Sequence, residues 1–127
     1  YFTINMQNFI IGRIKSIKYA IKGFWLLVST EHAIITHCIS ALIFIILGFI
    51  LKINHIEWMI QTMAFGTLLA IEGLNTAVEK LCDFIHPEFN KKIGEIKDVS
   101  AGAVTMVFFA VITVLAIIYI PYIIELF

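Results

Sequence analysis

Charge is scarce in this chain of 127 residues. Only 14% of the residues are charged, with nine basic and nine acidic side chains, and the formal net charge is zero. Because binding to nucleic acid needs an excess of positive charge, we expect no nucleic-acid partner. Cysteine is equally scarce. Cys38 and Cys82 both belong to apolar runs, so the sequence predicts two packing residues and no disulfide framework.

Several familiar site motifs are also missing. The four histidines are scattered, without HExxH spacing, so a zinc site is not expected. No GxxxxGK[ST] phosphate-binding loop occurs, and a nucleotide would therefore have to be bound in another way. The sequence begins at Tyr1 rather than Met, so we expect a few residues to precede it. Its first ten residues are not typical of a cleaved signal peptide.

Apolar residues dominate instead. They make up 61% of the chain, and the mean hydropathy is +0.97, which is typical of a membrane protein. We predict one all-α membrane domain over residues 1–127, with transmembrane helices at 33–51, 58–82 and 99–120. Pro121 is predicted to end the last of them. The polar connector at 83–98 contains two further helix-ending signals, Pro87 and Gly94.

A helix on the membrane surface is predicted at residues 8–29. Its apolar side chains recur every three or four positions and form a stripe about 80° wide; they are Ile10, Ile14, Ile17, Ile21, Phe24 and Val28. Lysines lie on the far side of this helix, where they can meet anionic headgroups. The alternative is a soluble amphipathic helix packed on another domain.

The basic residues indicate which way the chain crosses the membrane. All of them except Lys52 lie either in the predicted surface helix or near the connector between the second and third spans. Three spans put these two regions on the same side, and the positive-inside rule makes that side the cytoplasm. We therefore expect any site at this end of the helices to be reached from the cytoplasm.

The stretch IEGLNTAVEKL, residues 71–81, places acids in an apolar run. On a helix, Glu72, Asn75, Glu79 and Asp83 share a face about 80° wide. A carboxylate in hydrocarbon is costly unless it is paired, protonated or bound to a cation. The predicted topology brings Glu31, Lys97 and Asp98 to the same membrane depth.

This residue set suits phosphoryl transfer at a membrane surface. Mg²⁺ takes one or two carboxylates together with phosphate oxygens. A deeper carboxylate binds a proton more readily and can act as a general base, and a nearby lysine can neutralise phosphate charge. Two other interpretations remain open: Glu79 and Asp83 as solvated helix-end residues, and the acids as a proton or ion path.

Three stretches resemble one known family. They are EGLNTAVEKLCD (72–83), PEFNKKIGEIKDVSAGAV (87–104) and SIKYAIKGFWLLVSTE (16–31). They are similar to the signatures E-x-x-N-[ST]-A-[IV]-E-x-x-x-D, G-x-x-K-D-x-[AGS]-[AS]-[AG]-A-V and K-x-x-x-Y-A-x-K-G of the prokaryotic diacylglycerol kinases. These are small integral membrane lipid kinases that also include undecaprenol kinase. The resemblance covers residues 13–121.

The resemblance implies a homotrimer in the bacterial cytoplasmic (inner) membrane, built from protomers with three spans and a surface helix. The implied activity transfers the γ-phosphate of MgATP to diacylglycerol, giving phosphatidic acid for phospholipid biosynthesis. The alternative within the family is the phosphorylation of undecaprenol. Outside it stand a proton- or ion-conducting oligomer and a membrane partner that has kept the fold without the activity.

The resemblance also implies roles for individual residues. Glu72 would be the base on the lipid hydroxyl, Glu31 and Glu79 would hold Mg²⁺, and Asn75 would support the acids by hydrogen bonding. Lys97 would contact phosphate, with Asp98 orienting that lysine or the nucleotide. The remaining implied contacts are those of ATP with Tyr19, Glu88 and Asn90, and those of the substrate with Arg13 and Ala101.

This sequence departs from the family pattern in two places. Many members carry E-R-N-x-R-I-H where this chain has EHAIITH, residues 31–37, so that Glu31 and His37 are kept and the polar residues between them are not. Asn90 stands where some members have histidine.

Overall fold

The computed structural model of the chain describes residues 5–127, and four α-helices account for nearly all of them. The helices are α1 (Met6–Thr30), α2 (His32–Leu51), α3 (His55–Ile85) and α4 (Lys91–Glu125). The predicted all-α fold class is confirmed.

Polar side chains fix where three of the helices begin. The Asn5 side chain accepts a hydrogen bond from the backbone N–H of Gln7 at 3.1 Å and starts α1. Asn54 and Glu57 form a reciprocal capping box at the start of α3, with both bonds at 2.9 Å. Asn90 caps α4. Each cap satisfies backbone N–H groups that have no partner within the helix.

A single residue separates α1 from α2. Glu31 has an extended backbone (φ −94°, ψ 111°), which ends one helix and starts the next. This break lies within the gap that the sequence predicts between residues 29 and 33. The last turn of α1 packs closely on α3. A Cβ added at Gly73 would lie only 3.1 Å from Leu27 Cδ1.

Two helices, α2 and α4, are long and apolar enough to cross a membrane. Helix α3 has 31 residues, but the acids in its C-terminal half lower its hydropathy. At 1.5 Å per residue it is about 46 Å long, longer than the hydrocarbon core is thick. The third span therefore stays a prediction, as does the surface position of α1.

Helices α3 and α4 extend beyond the predicted spans. The prediction that Pro121 ends the last helix is wrong, since α4 continues to Glu125. Proline removes one N–H and disturbs one turn, which can bend a helix without ending it. Beyond Pro121, the Tyr122 hydroxyl donates to Glu57 Oε2 at 2.6 Å and ties the continuation to α3. Gly94 also lies inside α4, because one glycine costs a helix only about 1 kcal/mol.

Helix α3 packs against both α2 and α4. A buried polar contact joins all three helices in their apolar part. Gln61, 2% exposed, donates through Nε2 to the Phe44 carbonyl at 3.3 Å. The Tyr119 hydroxyl lies 2.5 Å from Gln61 Oε1 and 2.9 Å from the same carbonyl oxygen. Because polar groups buried in an apolar environment need partners, this contact fixes the relative placement of the helices.

The end of α2 packs closely against the start of α3. A Cβ added at Gly48 would lie 2.8 Å from the Trp58 ring, so glycine is needed there for close packing. Elsewhere, large apolar side chains such as Phe24, Phe49 and Phe109 remain exposed. A surface of this kind contacts lipid or another copy in a membrane.

Candidate active site

The acidic face of α3 runs from buried to exposed positions. Glu72 and Asn75 are each 8% exposed, whereas Glu79 and Asp83 are exposed. Glu72 and Asp83 are about 16 Å apart along the helix axis. The face therefore offers one buried carboxylate and two exposed ones.

Glu72 has a basic neighbour on α2. Its Oε2 lies 3.8 Å from His37 Nε2, and the two side chains are 11% and 18% exposed. The imidazole ring is also next to Phe108 of α4, with the ring centroids 6.3 Å apart. The buried carboxylate thus sits beside the one histidine that the described residues place within ion-pair distance of an acid.

One turn further along α3, Asn75 donates through Nδ2 to Glu79 Oε1 at 3.3 Å. The supporting role implied for Asn75 stays a prediction. Its amide oxygen is buried and, among the described residues, has no hydrogen-bond partner. Since buried acceptors are nearly always satisfied, this oxygen is available to a ligand.

Glu31, between α1 and α2, forms an ion pair with α3. Lys80 Nζ lies 2.7 Å from Glu31 Oε1. This ammonium group holds the pKa of Glu31 below its usual value by hydrogen bonding to the ionised form. Glu31 is therefore a carboxylate at neutral pH, located where the predicted surface helix meets the first span.

Lys97 near the start of α4 pairs with α3. Its Nζ donates to Asp83 Oδ1 at 2.5 Å. The resemblance implies that Asp98 orients this lysine or the nucleotide, and that role stays a prediction; the acidic partner of Lys97 in the structure is Asp83. Asp98 itself is exposed. The sequence contains one indication of this pair, since Asp83 and Lys97 lie on either side of a short connector between two adjacent helices.

A small cleft at the α3–α4 connector collects three of the residues expected to bind ATP. It has a volume of about 160 Å³, and its lining includes Glu88, Asn90 and Lys97. The Asn90 side-chain oxygen accepts from the backbone N–H groups of Lys92 and Ile93, at 2.9 and 3.3 Å. That oxygen is thus engaged as a cap, and only the amide NH₂ of Asn90 remains for a ligand.

Other predicted site residues lie apart from these contacts. Tyr19 is 70% exposed on α1, and Ala101 is exposed on α4. Arg13 lies over the Phe9 ring, with Cζ 6.0 Å from the centroid. Within residues 5–127, no hydrogen bond or ion pair joins Tyr19 or Arg13 to the acids. Their roles in binding stay predictions.

The oxygen donors suit Mg²⁺ better than a metal that needs a closed cage. In the described part of the chain, no three His, Cys, Asp or Glu side chains come close enough to hold a metal ion by themselves. Glu31, Glu79 and the free Asn75 amide oxygen are hard donors. By donor type they are compatible with Mg²⁺, which takes one or two carboxylates and keeps other oxygen ligands.

Two further contacts of the site are not predicted by the sequence. They are the ion pair of Lys80 with Glu31 and the contact of His37 with Glu72. Periodicity within one helix cannot show either contact, because each depends on how another helix packs against α3. The sequence offered one hint for His37, which is kept where the neighbouring polar residues of the family pattern are not.

Comparison with known proteins gives a consistent result. The model of the family described as prokaryotic diacylglycerol kinase matches residues 18–119. Undecaprenol kinase from Bacillus subtilis (strain 168) is 36% identical over 99 residues, which cover 78% of this chain and 79% of that protein. The residues matched by the family model include all of α2 and α3.

Proposed function

Because the chain belongs to the prokaryotic diacylglycerol kinase family and is therefore a membrane lipid kinase that uses ATP, we propose that undecaprenol is the lipid it phosphorylates. The resemblance predicted from the motifs is confirmed. The observation that carries the choice of lipid is the 36% identity to undecaprenol kinase over most of both chains. It favours undecaprenol over the diacylglycerol that the sequence alone placed first.

The geometry supports a division of labour among the acids. Glu72, buried in the apolar part of α3, is the base that takes the proton of the lipid hydroxyl. Glu31 and Glu79 hold Mg²⁺, which neutralises phosphate charge when it is bound. Lys97 contacts the phosphates from the connector cleft, next to Glu88 and Asn90. The lipid is held at the interface by its own chain, so the protein mainly supplies positioning and charge neutralisation.

The proposal includes the setting of the enzyme. The chain works as a homotrimer in the bacterial inner membrane, with its site on the cytoplasmic side. The exposed apolar faces of the helices support an oligomer in lipid. The clustering of basic residues beside the site supports the orientation. Tyr19, Asp98, Ala101 and Arg13 keep their implied roles in nucleotide and lipid binding.

The choice of lipid is tested by competition. We expect the purified protein to transfer labelled γ-phosphate from MgATP to undecaprenol with kcat/KM at least about tenfold higher than for diacylglycerol, since chain-shape discrimination in an apolar site reaches this size. Both lipids are offered at equal mole fraction in the same bicelles, and the Glu72→Gln variant serves as the blank. Equal or higher kcat/KM for diacylglycerol would contradict the proposal and favour diacylglycerol as the substrate, as the description of the family suggests.

The metal role of Glu79 is tested by a Mg²⁺ titration. We expect Glu79→Gln to raise the Mg²⁺ concentration for half-maximal activity by about tenfold or more, because a carboxylate ligand is lost. Glu125→Gln, an exposed change at the far end of α4, is the matched control and should titrate like the wild type. An unchanged titration in Glu79→Gln would return Glu79 to the role of a solvated helix-end residue.

A further inference from the structure

The proposed reaction leaves Glu72 with a proton that it must lose. As the lipid O–H bond breaks, its proton goes to Glu72, the hydroxyl oxygen bonds to the γ-phosphorus, and the bond from that phosphorus to ADP breaks. Glu72 is then a neutral carboxyl that is only 8% exposed. The neutral form is the stable one in an apolar environment, so the site needs an acceptor beside Glu72 before it can turn over again.

His37 is the side chain placed to be that acceptor. Its Nε2 lies 3.8 Å from Glu72 Oε2, and within residues 5–127 no other basic side chain comes within ion-pair distance of Glu72. The His37 side chain is 18% exposed against 11% for Glu72, so it is the less buried of the two. Imidazole is the side chain that most often accepts and passes on a proton in catalysis.

We propose that His37 acts through Glu72 as its proton acceptor: its Nε2 takes from Glu72 the proton released by the lipid hydroxyl and passes it to water. This inference rests on the proposed function, because it assigns the step that follows phosphoryl transfer. The two atoms are slightly too far apart for a hydrogen bond in the resting arrangement, and a small side-chain rotation brings them within reach.

Among residues 5–127, Glu72 is the one acidic side chain within ion-pair distance of His37. Helix α3 presents Glu72 to it, and α4 presents the uncharged Phe108 ring. His37 also lines an apolar groove of about 500 Å³ between α2 and α4. The pair therefore lies where an apolar environment meets the acidic face, which is where a lipid hydroxyl must react.

Two substitutions separate proton acceptance from packing. Glutamine can hydrogen-bond to Glu72 but cannot take its proton, so we expect His37→Gln to lower kcat by about 10- to 100-fold. KM for MgATP should change by less than about twofold, because ground-state binding is untouched. His37→Ala should be equally slow and should regain activity with added imidazole, which a packing role would not allow. His55→Gln, at the far end of α3, is the control and should behave like the wild type in both assays.

Each outcome of these assays either supports or contradicts the role of His37 as proton acceptor. Full activity of His37→Gln would overturn the inference, since orientation by hydrogen bonding would then be enough. A slow His37→Ala that imidazole does not rescue would equally overturn it in favour of packing. Absence of lipid phosphorylation by the wild type would instead overturn the proposed function together with this step, so the two failures are distinguishable.

Discussion

Replacing Glu72 by glutamine lowers the rate of lipid phosphorylation by about 100- to 10,000-fold, the range expected when a general base is removed. The amide has nearly the shape of the carboxyl but cannot take the hydroxyl proton. The measurement is kcat for transfer of labelled γ-phosphate to lipid in bicelles. Retention of activity within about tenfold of the wild type would take the role of base away from Glu72.

Loss of activity in Glu72→Gln is informative only if the protein stays folded. We expect the variant to keep its helical content and its oligomeric state, because removing a charge from a buried position lowers a desolvation cost. The ion pair with His37, at 3.8 Å, is too long to be a strong contribution to stability. Circular dichroism and cross-linking check both points.

A third variant separates the charge of Glu72 from its position. Glu72→Asp keeps the carboxylate but draws it back toward the backbone by about 1.5 Å. Misplacement of a catalytic group by about 1 Å can cost 100-fold, so this variant should fall between the wild type and Glu72→Gln. Such an ordering ties the loss to the carboxylate at its exact depth rather than to general damage.

The sequence predicts the elements of this fold better than their ends. Apolar runs and the acidic face of residues 72–83 follow from periodicity within one helix, and the structure places helices over all of them. The predicted end of α4 is wrong because Pro121 interrupts only one backbone hydrogen bond. The contact between Tyr122 and Glu57 stabilises the helix beyond the proline. That contact joins residues far apart in sequence, and no local pattern contains it.

The same limit applies to the site. The sequence can single out the residue types, since a carboxylate such as Glu72 in an apolar run needs a special reason. The pairings could not, because they depend on the rotation of one helix against another. Helix α3 brings Lys80 to Glu31, and α2 brings His37 to Glu72. Rotating α2 or α3 about its own axis by about 100°, the angle between successive helical residues, would bring different side chains together.

Replacing Lys97 by methionine should lower kcat/KM for MgATP by about 100- to 1000-fold, since it removes the positive charge that we propose contacts phosphate. Methionine keeps the length and the apolar stem of the side chain, so packing against the connector is retained. Lys97 also bonds to Asp83 at 2.5 Å, and a loss of activity could therefore come from weaker contact between α3 and α4. A second substitution is needed to tell these causes apart.

Asp83→Asn supplies that test. It removes the charged partner of Lys97 while leaving the lysine in the cleft with Glu88 and Asn90. If Lys97 serves the phosphates, Asp83→Asn keeps kcat/KM for MgATP within about tenfold of the wild type, because a competing anion has been removed from the lysine. If Lys97 serves only to join the two helices, Asp83→Asn and Lys97→Met lose activity to the same extent. Equal losses in the two variants would thus show that Lys97 holds α3 and α4 together and does not act in the nucleotide site.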